Sequence, residues 1–247
     1  MIKAIIFDLD GVLVDTKQIH FEALNGALEK YKFKKISIDD HVKIFDGLPT
    51  AEKLNILNKK NNLPKKFFSK ISKYKQKITT NILKKNIKKN KEIVKIMKYL
   101  RGKYKIAVAT NAVNSTLKIC LEKLGISKFV DFKLSNENVN KPKPNPEIYL
   151  RIFIEFGIYP SEALIIEDSH YGREAAISSG AKLLPIKNID ELNLEKIKLN
   201  LNSKKIINKK KISWEDNKMN VLIPMAGAGK RFFDAGYVFP KPLIEVE

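Results

Sequence analysis

The chain has 247 residues, 44% of them hydrophobic and 30% charged, a composition that excludes a disordered protein because it provides a sizeable apolar core. Basic residues exceed acidic ones by 20, but only four of the 47 basic residues are arginine. Arginine is the residue that contacts phosphates and guanines bidentately, so we expect no nucleic-acid partner. No apolar stretch reaches the roughly 18–20 residues that span a bilayer. Acidic residues interrupt the N-terminal apolar region, so we expect no secretory signal peptide. A single cysteine excludes a disulfide within the chain. We therefore expect a cytoplasmic protein with no membrane partner.

The first predicted element is a buried parallel strand at Met1–Phe7, an apolar and β-branched run. It is followed by Asp8-Leu9-Asp10-Gly11. Apolar side chains at helical spacing predict a helix over 17–30, and residues 36–100 are expected to form further, more polar helices.

From residue 105 onward, predicted strands alternate with predicted helices. The strands are expected at 105–109, 132–134, 163–166 and 182–186, and the helices at 117–124, 148–156 and 171–179. Glycines 125, 157 and 180 follow these helices, as helix-terminating glycines do. The alternation predicts an α/β fold with a Rossmann-like parallel sheet.

Polar residues follow three of the predicted strands, at the point where each strand ends. Asp8 and Asp10 follow the first strand, Thr110 and Asn111 the second, and Glu167 and Asp168 a later one. Ligands bind at the carboxyl ends of the strands in such sheets, so these side chains are expected to form one site.

The chemistry of these groups suggests phosphoryl transfer. One aspartate of the Asp8/Asp10 pair can attack phosphorus while the other moves a proton to or from the leaving oxygen. Four carboxylates at one edge repel each other unless a cation is present, and oxygen ligands suit Mg²⁺. Thr110 can donate a hydrogen bond to a phosphate, and Lys141, followed by Pro142, can offset its charge.

Asp8-Leu-Asp-Gly-Val-Leu-Val-Asp15-Thr16, Thr110-Asn111, Lys141-Pro142 and Glu167-Asp168-Ser169 resemble the four motifs of the haloacid dehalogenase superfamily. Their order and spacing are similar to its helical-cap branch, which contains β-phosphoglucomutase and sugar-phosphate phosphatases, and the resemblance covers residues 1–187. It implies that Asp8 is the nucleophile and Asp10 the general acid/base. It also implies that Asp8, the Asp10 carbonyl and Asp168 hold Mg²⁺ with Glu167 nearby, and that Thr110, Asn111 and Lys141 bind phosphate.

The resemblance also implies a helical cap inserted into the core. The core would comprise residues 1–16 and 101–202, and the cap residues 17–100. His20 and Lys75 are expected on the cap side of the site or at its hinge. Thr50 occupies the position in the segment Asp46–Lys53 where β-phosphoglucomutase carries an arginine for a second phosphate.

A second resemblance lies beyond a polar linker at 203–219. Gly227-Ala-Gly-Lys-Arg231 and Pro240-Lys241-Pro242-Leu243 resemble the start of a sugar-phosphate nucleotidyltransferase. Gly227 and Gly229 would allow the backbone to wrap nucleotide phosphates, and Arg231 and Lys241 would offset their charge. Residues 220–247 are too few to form that catalytic domain, so no transferase activity is expected from them.

The sequence thus predicts a Mg²⁺-dependent phosphatase acting on a small phosphorylated metabolite, and the resemblance to sugar-phosphate phosphatases favours a sugar phosphate. A role in making nucleotide-sugar or surface-polysaccharide precursors follows from the second resemblance. The alternative is a phosphomutase, which the absence of arginine from Asp46–Lys53 disfavours, and the non-enzymatic alternative is a lysine-rich nucleic-acid binder. The sequence leaves the substrate and the oligomeric state open.

Overall fold

The computed structural model describes residues 1–202, which form a five-stranded parallel sheet in the order β3-β2-β1-β4-β5 with helices on both faces. The strands are β1 (Ala4–Phe7), β2 (Lys105–Ala109), β3 (Phe132–Leu134), β4 (Ala163–Glu167) and β5 (Lys182–Pro185). The helices are α1 (Lys17–Lys30), α2 (Ile38–Asp40), α3 (Thr50–Asn61), α4 (Phe68–Asn86), α5 (Lys91–Leu100), α6 (Asn114–Leu124), α7 (Glu147–Phe156), α8 (His170–Ser178) and α9 (Leu194–Asn202), with a π-helical turn at His41–Phe45 and 3-10 turns at Lys65–Phe67, Ser127–Phe129, Asn136–Asn138, Pro160–Glu162 and Ile189–Glu191.

Strand β1 lies at the centre of the sheet and is buried on both faces. Its Ala4 pairs with Lys105 of β2 on one side and with Ala163 of β4 on the other. Ile5 and Phe7 pack into the apolar layer on one face, whereas Ile6 packs into the layer on the opposite face. Successive strand residues point to opposite faces, so an apolar run without alternation is what a covered parallel strand requires. The predicted α/β Rossmann-like core is confirmed.

The inserted helices form an apolar cluster of their own. Leu24 and Leu28 of α1 pack with Leu54 and Leu57 of α3 and with Ile71 of α4. This cluster contains no residue of the sheet, as expected of a cap with a separate small core.

Helix α5 was expected in the cap but packs with the core. Its buried residues Ile93, Ile96, Met97 and Leu100 belong to the same cluster as Ile106 of β2. They recur at a spacing of three and four residues, which gives α5 one broad apolar face that covers the sheet. The cap boundary at residue 100 is therefore wrong, because α5 belongs to the sheet layer.

Two further predictions concern the C-terminal residues and membrane-spanning helices. The linker at 203–219 and the unit at 220–247, with Gly227, Gly229, Arg231 and Lys241, lie outside the described residues. Within residues 1–202, no helix is both long enough and apolar enough to cross a membrane.

Candidate active site

A cavity of about 340 Å³ lies over the carboxyl ends of the strands, between the sheet and the cap. Ligand pockets for small molecules begin at about this size. The cavity brings together most of the residues that the sequence singled out. Those lining it are Asp8, Asp10, His20, Thr50, Lys75, Thr110, Asn111 and Asp168.

The ammonium of Lys143 is the centre of the charge network beneath the cavity. Its Nζ donates to Asp8 Oδ1 at 2.7 Å, to Glu167 Oε1 at 2.5 Å and to the Ala109 carbonyl at 2.8 Å. Burial by itself would lower the pKa of Lys143, but Asp8 and Glu167 outweigh burial and raise it well above its usual value. Lys143 is therefore charged and holds the two carboxylates in fixed positions.

The expected phosphate-binding lysine, Lys141, is not in the site. Its side chain is exposed, and its main-chain N–H donates to Glu147 Oε2 at 2.8 Å. Lys143 occupies the position expected of Lys141. Lys141 and Lys143 each precede a proline, two residues apart, and only the path of the loop decides which of them enters the core.

Asp8 is the first residue after β1, and its main-chain N–H still donates to Ile166 O at 3.0 Å. This last bond of the parallel ladder fixes its carboxylate at the cavity floor. Burial, followed by the negative charge of Glu167, raises the pKa of Asp8 well above its usual value, while Lys143 opposes them. The Asp8 carboxylate therefore experiences a repulsion that Lys143 offsets only in part.

Glu167, the last residue of β4, is completely buried. It accepts hydrogen bonds from Lys143 and from the hydroxyl of Tyr149, at 2.6 Å. A Cβ at Gly172 would lie 2.1 Å from the Glu167 carboxyl carbon, so α8 approaches this side chain closely because residue 172 is glycine. Tyr149 and Gly172 were not predicted from the sequence, where a tyrosine and a glycine on helices carry no distinctive signal.

The carboxylate of Asp168 is buried and incompletely satisfied. Its Oδ1 accepts no hydrogen bond within residues 1–202, and its Oδ2 lies 3.2 Å from Lys17 Nζ. Gly11 adopts φ +86°, and a Cβ there would lie 2.0 Å from Asp168 Oδ2, so only glycine fits. A buried carboxylate oxygen without a partner is costly unless a ligand supplies one.

These carboxylates fit a divalent cation. Oxygen atoms of Asp8, Glu167 and Asp168 lie within 4.8 Å of one another, and all three residues are buried. Hard oxygen donors with an unsatisfied carboxylate among them are suited to Mg²⁺. Asp8, Asp168 and Glu167 would hold the ion. The Asp10 carboxylate faces Thr16 and His20 instead, and a contribution from its main-chain carbonyl stays a prediction.

Asp10 lies in a chain of hydrogen bonds that leads into the cap. Thr16 Oγ1 donates to Asp10 Oδ1, His20 Nε2 lies 3.3 Å from the same oxygen, and Lys75 Nζ lies 3.2 Å from His20 Nδ1. Burial would raise the pKa of Asp10, but His20, Thr16 and Lys75 outweigh it and lower the pKa to about 2. Asp10 is therefore a carboxylate at neutral pH. Burial and Lys75 lower the pKa of His20, which is then neutral and can donate from Nε2.

Thr110 and Asn111 shape the opposite wall. Thr110 Oγ1 accepts from the Ala112 N–H at 2.9 Å and lies 3.4 Å from Asp10 Oδ2. The Asn111 side chain accepts from the Lys143 N–H at 3.0 Å and donates to the Lys143 carbonyl at 3.1 Å. It also donates to Gly47 O at 3.0 Å. Asn111 thus fixes the loop that carries Lys143 and joins the core to the cap.

A sequence profile of the haloacid dehalogenase-like hydrolases matches residues 5–186. The chain belongs to this family. A phosphorylated carbohydrates phosphatase from Thermotoga maritima is 32% identical over 183 residues, covering 72% of this chain and 82% of that protein. A fructose-1-phosphate phosphatase from Escherichia coli is 24% identical, covering 74% of this chain and 95% of that protein.

The solved structure of a β-phosphoglucomutase from Clostridium difficile has the same fold, with a TM-score of 0.69 and 24% identity, covering 82% of this chain and 98% of that chain. Membership of the haloacid dehalogenase-like family, predicted from the four motifs, is confirmed. The chain is a phosphatase of this family, a phosphoric monoester hydrolase, as the sequence predicted.

Magnesium is expected to stabilise this hydrolase in a pH-dependent manner. Burial raises the pKa of Asp168 to about 6, Lys17 opposing it and Glu167 adding to it. Its ionisation therefore destabilises the folded protein as pH rises from about 4 to about 6, and a cation that binds the ionised form reverses this loss. Millimolar Mg²⁺ should raise the thermal midpoint by a few degrees at about pH 7.5 and much less at about pH 5.

Differential scanning fluorimetry measures this shift. Asp168→Asn should abolish it, whereas Asp190→Asn, a matched substitution at an exposed position, should keep it. An equal shift at both pH values would contradict the assignment of Asp168 as a ligand.

Proposed function

We propose that this chain is a Mg²⁺-dependent phosphatase that hydrolyses a small phosphorylated sugar through a phosphorylated Asp8. The observation that carries this proposal is the placement of the Asp8 carboxylate, fixed by Lys143 on the cavity floor, with Asp10 two residues away beside His20. The two relatives are named for phosphorylated carbohydrates and fructose-1-phosphate, which supports a sugar phosphate as the substrate.

In the first step, an Asp8 oxygen attacks phosphorus and forms a P–O bond. The bond between phosphorus and the sugar oxygen breaks, and that oxygen takes a proton from Asp10. A bound phosphate repels the Asp10 carboxylate and raises its pKa, so Asp10 takes up the required proton when substrate binds. Lys143 offsets the negative charge that nucleophile and phosphate bring together.

In the second step, water attacks the phosphorus of the phosphorylated Asp8. The Asp10 carboxylate removes a proton from this water, the bond between Asp8 and phosphorus breaks, and inorganic phosphate leaves. When bound at Asp8, Asp168 and Glu167, Mg²⁺ would supply positive charge against the phosphoryl oxygens. Thr110 is positioned to donate to one of these oxygens.

The mutase alternative is not favoured. A mutase returns the phosphoryl group to a sugar and must hold a doubly phosphorylated intermediate in two orientations. Thr50, which lines the cavity, provides a hydroxyl rather than the guanidinium of a bidentate phosphate site. A role in making nucleotide-sugar or surface-polysaccharide precursors stays a prediction, since it depends on residues 220–247.

The test is phosphate release from a panel of sugar phosphates. We expect release in millimolar Mg²⁺ and none in excess chelator, with activity restored by added Mg²⁺. Isomer formation from a hexose 1-phosphate, followed by chromatography, distinguishes a mutase. Undiminished hydrolysis in chelator, or isomerisation without net phosphate release, would contradict the proposal.

A further inference from the structure

One long stretch of this lysine-rich chain contains no lysine. The chain has 43 lysines among its 247 residues, yet residues 144–181 have none, and no other lysine-free stretch is half as long. Two of the four arginines, Arg151 and Arg173, lie within this stretch. Residues 53–91, by contrast, contain 14 lysines and no acidic residue. The lysine-free stretch therefore differs from the rest of the surface in the kind of charge that it carries.

The lysine-free stretch forms one side of the folded molecule. It contains α7 and α8, which contact each other and bury Ile152 and Ala175 in the same apolar layer against the sheet. The loop that follows α7 lies beside the end of α8, because a Cβ at Gly180 would be 3.5 Å from the Pro160 Cβ. The outward sides of the two helices and this loop therefore form one surface, which we call the α7–α8 face.

Large apolar side chains of the α7–α8 face are exposed to solvent. Ile154 is 80% exposed, Tyr159 75%, Ile177 66% and Leu150 41%, and they are half of the exposed large hydrophobic residues within residues 1–202. Leu150 and Ile154 are four residues apart on α7, so they lie on the same side of the helix. A group of exposed apolar side chains on one surface indicates a site of contact with another molecule.

The composition of the α7–α8 face is that of a protein interface. Such interfaces are depleted in lysine and enriched in arginine and in aromatic residues. Arginine is less strongly hydrated than lysine, so burying it against a partner costs less free energy. The face combines exposed Arg151 and Tyr159 with exposed isoleucines and lacks lysine. A protein partner therefore fits this face better than a nucleic acid or a lipid surface does.

The charges favour a second copy of this chain as the partner. Two copies with a net charge of +20 each repel one another wherever lysine-bearing surfaces meet, and the α7–α8 face has no lysine. Its exposed charges are of both signs, since Glu155 and Glu174 lie on the same helices as Arg151. A surface with both signs can be complementary to itself across a twofold axis. An acidic partner would instead be attracted to residues 53–91.

We propose that the α7–α8 face binds the same face of a second copy and forms a twofold-symmetric homodimer. The proposal does not depend on the phosphatase activity. Leu150, Ile154, Tyr159 and Ile177 are not among the residues that line the cavity, so this contact leaves the cavity accessible. Two short helices offer a small interface, and we expect a Kd of about 1–50 µM.

Sedimentation velocity of the full chain, from about 1 to about 200 µM, measures this association. Ile154→Lys and Ile177→Lys each place a lysine from both copies in the interface and should raise the Kd at least about tenfold. Leu199→Lys is the matched control, because Leu199 is an exposed residue of α9, which packs with the opposite apolar layer. It should leave the Kd unchanged. The thermal midpoints of all three variants should stay close to that of the unmodified protein, since the substituted side chains are exposed.

The dependence on salt distinguishes two ways in which copies could associate. If the α7–α8 face meets its own equivalent, salt screens the repulsion between the two positive chains, and the Kd should fall between about 50 and 300 mM sodium chloride. A Kd that rises with salt would indicate contact with a lysine-rich surface and overturn the twofold arrangement. A monomer at about 200 µM in about 300 mM salt, or a dimer that Leu199→Lys weakens as much as Ile154→Lys, would overturn the proposal.

Discussion

Asp8→Asn is expected to abolish phosphate release, lowering kcat by at least about 10³-fold, because the amide cannot attack phosphorus. The variant should fold. Burial and Glu167 both oppose the charge on Asp8, and a neutral amide removes that repulsion while Lys143 keeps its bond to Glu167. The thermal midpoint is therefore expected to be equal to or higher than that of the unmodified protein.

The measurement is single-turnover phosphate release in Mg²⁺ with a sugar phosphate, with the thermal midpoint recorded on the same samples. Asp190→Asn makes the same substitution at an exposed aspartate and should retain full activity. Turnover by Asp8→Asn within tenfold of the unmodified protein would refute nucleophilic attack by Asp8. A collapse of the midpoint would show that its main role is structural.

Lys143→Met is expected to lose both stability and activity. Lys143 is 3% exposed and neutralises Asp8 and Glu167 together, and removing one member of a buried ion cluster costs about 3–5 kcal/mol. Activity should fall by about 10²-fold or more, because the charge that offsets the nucleophile and the incoming phosphate is lost. The destabilisation should be smaller at about pH 5 than at about pH 8, because burial already raises the pKa of Asp8 and, without Lys143 to oppose this, Asp8 takes up a proton more readily at the lower pH.

Lys141→Met is the matched control, two residues earlier in the same loop. Its side chain is exposed, and its hydrogen bond to Glu147 is made by the main chain, so stability should change by no more than about 0.5 kcal/mol. Urea denaturation and steady-state kinetics on both variants provide the comparison. If Lys141→Met is the more damaging substitution, the assignment of Lys143 is wrong.

Local sequence patterns were sufficient to predict the sheet core and part of the site. Parallel strands buried on both faces need apolar runs, and the runs at 4–7, 105–109 and 163–167 have no other strong interpretation. Because the carboxyl ends of these strands meet at one edge, the polar residues just after them had to converge. Asp8, Asp10, Thr110 and Asp168 were therefore predictable as neighbours, although their roles in catalysis stay predictions.

The charge partners inside the site could not be read from the sequence in the same way. Lys141 and Lys143 look equivalent in the sequence, and the path of the loop before α7 decides which of them is buried. That path depends on hydrogen bonds from the side chain of Asn111, more than 30 residues away. Tyr149 appears in the sequence as one apolar residue of a helix, yet its hydroxyl donates to Glu167. Such contacts join distant segments of the chain, so they produce no recognisable pattern in the local sequence.

The α/β class, the family and the set of carboxylates at the strand ends could be predicted from the sequence, because periodicity and strand-end position are local properties of the chain. Three features required the folded structure: α5 covers the sheet, Lys143 rather than Lys141 neutralises Asp8, and Lys53 is the buried lysine of α3. Burial and the pairing of charges depend on which distant segments come together. A composition with 47 basic residues gives no means of distinguishing a solvated lysine from a buried one.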